Sequence, residues 1–137
     1  MTPREKRLVR DSWRRFCDKN PDYGVLLFLS MFTKHPQYIA LFRSFRGKNV
    51  RQLHEDPTFR AHAYAVGHQL SAMVESLEDP LVLIELIRKN ATNHRMRQGV
   101  RPENFEGLFS AVVEEMVSSD VSLMTQATVK AWERLFE

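Results

Sequence analysis

At 137 residues, with 43% hydrophobic and 27% charged side chains, the chain has the size and composition of one domain around one core. A formal charge of +3, with basic and acidic residues interspersed and no Lys/Arg block carrying aromatics, argues against nucleic acid despite a pI of about 9.2. The lone cysteine, Cys17, excludes an internal disulfide framework, and the longest apolar run, Val25 to Leu29, is far too short to span a bilayer.

The apolar pattern is helical throughout, and no stretch alternates as a strand does. The first helix is expected from Pro3 to Cys17, capped by Thr2, with Val9, Trp13 and Phe16 inward. The second runs from about Asp22 to Thr33, with Val25, Phe28, Leu29 and Phe32 on one face. A short helical turn follows Pro36, and Gly47 to Glu55 reads as a polar, charged loop. A long helix begins after Asp56 and places Phe59, His62, Ala63, Val66, Leu70, Met73, Val74 and Leu77 on one face until Glu78-Asp79-Pro80 breaks it. The next carries Ile84, Ile87, Ala91 and His94 on its apolar face. Gly99 ends that region, and Pro102 opens a helix with Phe105, Leu108, Phe109, Val112 and Met116 inward. The last starts near Val121 and holds Met124, Ala131, Trp132 and Leu135. Six long helices with short linkers describe an all-α globule rather than a simple four-helix bundle.

Two histidines on apolar helix faces stand out. Alone, each is an ordinary hydrogen-bonded boundary residue. Together with the Phe-rich segment Leu41-Phe42-Arg43-Ser44-Phe45 they suit a flat iron macrocycle, because neutral imidazole is a strong axial donor and apolar walls keep water from the iron. His94, near the end of its helix, is the candidate axial ligand. The Asn90 carbonyl or the Asn93 side chain is placed to accept from its other ring nitrogen. His62 and Val66, four residues apart, share the face opposite, where His62 would donate to a bound ligand or itself bind the sixth position. Phe42 and Phe45 would wedge the ring, and Phe28 would cap the distal space. His35, His54 and His68 read as surface or capping residues. Cys17 reads as a small buried hydrophobe, Met73, Met116 and Met124 as core fillers, and Arg43 and Arg97 as solvated or propionate-pairing cations. No zinc-spaced Cys/His cluster, phosphate-binding glycine loop or nucleophile elbow is present.

The order of these residues resembles the globin family. His35-Pro36 through Phe45 is similar to the family's short third helix with its haem-contacting Phe at Phe42. His62-Ala63-Tyr64-Ala65-Val66 resembles the distal His and the Val one turn on. His94 through Val100, Pro102 and Phe105 resembles the proximal His, the haem-contacting Val and the opening of the next helix. Trp13 matches the first-helix Trp. The likeness covers nearly the whole chain. It implies a single globin domain over residues 1–137 enclosing one haem b (Fe-protoporphyrin IX). Globins usually continue the last helix several more turns past Trp132, so the resemblance implies either a domain trimmed at its C-terminus or a thinner proximal wall. Asn90 stands where the family commonly has a haem-contacting apolar residue, and Phe28 is of the bulkier, neuroglobin type.

The resemblance leaves two functions open. One is reversible binding of oxygen or another diatomic ligand at iron held by His94, with His62 on the distal side. The other is a bis-histidyl, hexacoordinate globin that uses His62 and His94 in electron transfer, redox signalling or gas sensing, with a redox partner protein. An enzymatic reading, peroxidase or nitric-oxide dioxygenase, needs electrons from elsewhere because no reductase domain is recognisable. The single cysteine and the charged residues after Met1 point to a cytoplasmic setting, without a membrane span.

Overall fold

The computed structural model describes residues 1–95 and 102–136, with side chains described for residues 1–89 and 104–136. Seven α-helices and two 3-10 turns make up the described residues: α1 (Pro3–Lys19), α2 (Tyr23–Lys34), turns at Pro36–Leu41 and Arg43–Phe45, α3 (Val50–Glu55), α4 (Pro57–Glu75), α5 (Pro80–Arg95), α6 (Pro102–Ser119) and α7 (Gln126–Leu135).

Helix α1 starts where a capping box can form. Thr2 Oγ1 accepts from the Glu5 N–H, and the Glu5 carboxylate accepts from the Thr2 N–H. Its buried residues, Val9, Ser12, Trp13 and Phe16, follow the helical period and meet α7 and α4. Helix α2 packs on both α4 and α6, so it is buried on most sides rather than on one face. Tyr23, Gly24, Val25, Leu27, Phe28, Met31 and Phe32 are all buried, and Leu29 is only half-buried.

The cores divide in two. One gathers Val9, Trp13, Phe16, Tyr23, Leu27, Val74, Leu77, Val112, Met116 and Trp132. The other gathers Phe28, Met31, Phe32, Ile39, Phe45, Leu53, Phe59 and Ala63. Rings of the second meet mostly edge-to-face: Phe28 on Phe59 at 6.3 Å and Phe45 on Phe59 at 5.5 Å between centroids.

Three expectations need correction. Residues 47–55 are not all loop. Gly47 takes the left-handed turn (φ 79°), and then Asn49 and Gln52 form a second capping box that opens α3. The fully buried Leu53 is the anchor of this short helix. Truncating the cap, Asn49→Ala, is expected to cost about 1 kcal/mol, read as a lower urea midpoint at unchanged slope. In α5, Ile84 points outward (44% exposed) and Leu83 takes the inward place, packed against the first core. The last helix begins at Gln126, not near Val121. Thr125 Oγ1 caps it by accepting from Thr128 N–H, while Val121 stands exposed in the preceding turn and Met124 is buried there.

Candidate functional site

A cavity of about 440 Å³ lies between α4 on one side and α5 and α6 on the other, a size usual for a cofactor site. Helix α4 is set in register by Asp56, whose Oδ1 caps it by accepting from Thr58 N–H at 2.9 Å, with Pro57 in the first turn. Lys48 pairs with the same carboxylate and, with the Thr58 and Phe59 N–H groups, holds it below the usual carboxylate range. From that start the helical period brings His62, Val66, Leu70, Met73, Val74 and Leu77 to the cavity wall.

His62 is half-buried and its ring is held on three sides. Phe42 lies 5.2 Å away, Phe28 5.5 Å and Phe45 5.8 Å between centroids, all edge-to-face at 67–70°. Phe28 and Phe42 themselves line the cavity. Phe45 stands behind them, stacked on Phe42 at 5.3 Å, buried and off the wall. Val66 lines the wall one turn from His62, and Phe105 and Leu108 close it from the start of α6.

On the α5 side the wall is Leu83 and Ile87, a pair four apart. Ile87 is 50% exposed and therefore forms the rim. Position 94 lies seven residues on in the same helix, along the same row. The side chains of Asn90, Ala91, Asn93 and His94, and the residues Arg97, Gly99 and Val100, lie outside the described residues.

The cavity also runs inward to Trp13, Trp132, Phe109 and Phe136. Phe109 and Phe136 stack at 4.2 Å. Both indole N–H groups are satisfied away from the cavity, Trp132 by Ser12 Oγ at 2.9 Å and Trp13 by Ser71 Oγ at 3.0 Å, so the rings offer it apolar surface.

Sequence reasoning did not single out Leu83, Tyr38, Gln69 or Asn104, which also line the cavity. Gln69 was within reach, since it lies seven residues beyond His62 on the same row. Tyr38 fits because α6 has Gly107 against its ring; a Cβ there would meet Tyr38 Cε2 at 2.7 Å.

Of the remaining histidines, His35 caps α2 through its backbone N–H and stacks on Tyr38 at 4.6 Å, and His54 is exposed. His68 is exposed and bonds the Tyr23 hydroxyl. Arg43 is exposed; Met116 and Met124 are core, whereas Met73 is cavity wall. Burial pushes the Cys17 thiol up to about 12, so it stays a protonated, half-buried side chain.

This wall suits a flat, mostly apolar macrocycle with an imidazole donor. Among the described residues no three His, Cys, Asp or Glu side chains converge as a site for a bare metal ion. The family model described as Globin matches residues 25–137. The chain belongs to the globin family. It is therefore a haem protein with an all-α globin fold.

A globin of Nerita albicilla is 29% identical over 130 residues, covering 95% of this chain and 82% of that protein. Hemoglobin-2 of Phacoides pectinatus is 28% identical, covering 97% and 86%, and cytoglobin-1 of Oryzias latipes 24%, covering 98% and 77%. Among solved structures, a hexacoordinated haem protein from an anhydrobiotic tardigrade has the same fold with a TM-score of 0.87 at 22% identity, covering 99% of this globin and 88% of that chain. The haemoglobin of the botfly Gasterophilus intestinalis gives 0.86 at 20% identity, covering 99% and 91%. No described helix of this globin is long and apolar enough to cross a membrane.

Proposed function

We propose that this globin holds haem b with His94 as the proximal iron ligand and His62 on the distal side, and binds oxygen or another diatomic ligand reversibly. The observation that carries this is the His62 ring, held by three Phe edges beside Val66 on the wall of an apolar cavity. When bound, haem iron supplies the coordination position that a diatomic ligand occupies.

The protein residues do the rest. His62 offers one N–H to the partly negative end of a ligand, a charge-assisted bond worth about 1.5–3 kcal/mol. Val66 limits the space beside it. Phe28 and Phe42 bound the distal cavity, and Phe105 with Val100 would bound the proximal side. The few polar groups of the wall and its many apolar ones keep bulk water away, which slows oxidation of ferrous iron. Gas binding of this kind needs no catalytic residue, and none is assigned.

A second reading, with His62 itself as the sixth iron ligand and electron transfer, redox signalling or gas sensing with a redox partner protein as the role, is supported by the fold shared with the hexacoordinated tardigrade protein. In that reading an external ligand must displace His62, and its apparent affinity falls by the fraction of open sites.

Absorption spectra of the reconstituted protein, ferric and then dithionite-reduced without oxygen, test both. One broad visible band in the ferrous state supports the open site; two sharp bands support ligation by His62; no Soret band overturns the haem reading. In the first case His62→Leu should speed oxygen release about tenfold or more. An unchanged release rate removes His62 from that role.

A further inference from the structure

A chain of hydrogen bonds leaves the cavity wall by a route that gas binding does not use. Trp13, which lines the cavity from α1, donates its Nε1–H to Ser71 Oγ of α4 at 3.0 Å. Ser71 Oγ lies 2.9 Å from the Tyr23 hydroxyl of α2, and that hydroxyl lies 3.3 Å from Nδ1 of His68, one turn back on α4. Tyr23 is 9% exposed; His68 is at the surface. The rings touch as well: Trp13 and Tyr23 edge-to-face at 5.4 Å, Tyr23 and His68 at 6.1 Å.

The donor inventory orients this chain. A serine hydroxyl has one proton and two lone pairs. Ser71 accepts from the Trp13 indole, which can only donate. Its own proton is then available to the Tyr23 hydroxyl, its other side-chain neighbour at 2.9 Å. Tyr23, accepting from Ser71, donates to Nδ1 of His68, in the tautomer that carries its proton on Nε2. A buried phenol thus gives its proton to an imidazole in contact with water, while its ring touches an indole on the cavity wall.

We propose that Tyr23 and His68 form a proton-coupled redox pair that feeds electrons to the cofactor in the cavity through Trp13. This rests on the haem reading above. The oxidant is hydrogen peroxide, which takes up two electrons when its O–O bond breaks; haem, when bound, would supply one of them. Tyr23 gives the other by way of Trp13, its Oη proton passes to His68 Nδ1, and a neutral tyrosyl radical faces an imidazolium. A one-electron reductant of the ascorbate class reaches the exposed His68 edge and returns an electron to Tyr23, and the proton goes back from Nδ1 to Oη. A second equivalent would replace the electron that haem supplied. The two ascorbate monoanions supply two electrons and two protons, which with one peroxide make two waters.

The test uses holo-protein checked by its Soret band, mixed with hydrogen peroxide and rapidly frozen for electron paramagnetic resonance. A neutral tyrosyl signal is expected in the native protein and in the double variant Tyr38→Phe/Tyr64→Phe, and it should vanish in Tyr23→Phe. His68→Gln keeps a hydrogen-bond acceptor but not a base, so the signal should fall several-fold and peroxide-driven ascorbate oxidation should slow with it. A signal that survives Tyr23→Phe, one that is lost in Tyr38→Phe/Tyr64→Phe, or a yield unchanged in His68→Gln overturns the inference. If Tyr23→Phe does not fold, the exposed His68 variant decides. A normal Soret band with no tyrosyl signal overturns this inference alone; no Soret band overturns the haem reading and this inference with it.

Discussion

Gly24→Ala is expected to destabilise this globin by about 3 kcal/mol, at the upper end for a single added methyl in a packed core. Helices α2 and α4 cross at Gly24 and Gly67, backbone on backbone. A Cβ on Gly24 would stand well inside 3.0 Å of the Ala63 carbonyl oxygen, 3.0 Å from its carbon and 3.3 Å from Gly67 Cα. All three are main-chain atoms of a helix, so no side-chain rotation relieves the clash and the two helices must separate. Separation loosens the contacts of Phe28, Phe32 and Phe59 that the crossing makes possible, and with them the cage around His62. The reciprocal change, Gly67→Ala, meets Gly24 Cα at 3.0 Å and the Tyr23 ring edge at 3.0 Å; the ring can give, so its cost should be smaller. Urea unfolding of both variants gives the comparison. Against a total stability of about 5–15 kcal/mol, a Gly24→Ala variant that unfolds at the native midpoint would mean the crossing is looser than its geometry.

That crossing was not legible in the sequence, because a glycine in a helix pattern carries no sign of which backbone approaches it. Legibility followed the clarity of local signals. Helices α1 and α4 have a cap, a proline in the first turn and an unambiguous period, and their inward faces agree with the structure. Helix α3 was hidden because its Asn49/Gln52 box lies in a charged stretch where Leu53 is the one strong anchor. Helix α5 opens with Leu81, Val82, Leu83, Ile84, Leu86 and Ile87, apolar on every side, so the period has no phase. Packing decides that Leu83 turns inward, Ile84 outward and Ile87 to the rim of the cavity. At the site, Phe28, Phe42, His62 and Val66 could be placed because each sits on a regular row or in family order. Phe45 could not, because the 3-10 turns around Phe42 set which ring faces the cavity and which stands behind. Gln69, Tyr38 and Asn104 were passed over because a polar residue in an apolar stripe reads as surface.

His94→Ala is expected to abolish the stabilisation that haem gives the fold, while His62→Leu keeps most of it. The argument turns on how differently the two sides of the cavity are held. His62 sits on α4, which packs on α1, α2, α3 and α5, and its ring is fixed by three Phe edges whether or not anything lies beside it. Helix α5 has its main described packing partner in α4 and leaves Leu81, Val82, Ile84 and Ile87 at 44–78% exposure. Much of what seats α5 must therefore come from a group filling the cavity against Leu83 and Ile87, tethered through position 94. A ligand that binds only the folded state at a thousandfold excess over its dissociation constant adds about 4 kcal/mol. In the native protein that gain should appear as a higher melting temperature on adding haemin and as slower amide exchange across residues 80–89. In the His94→Ala variant both should shrink towards the haem-free values. Equal loss in the two variants would place the tether on both histidines and favour the bis-histidyl reading. Retention of the full gain by His94→Ala would remove His94 from the iron altogether.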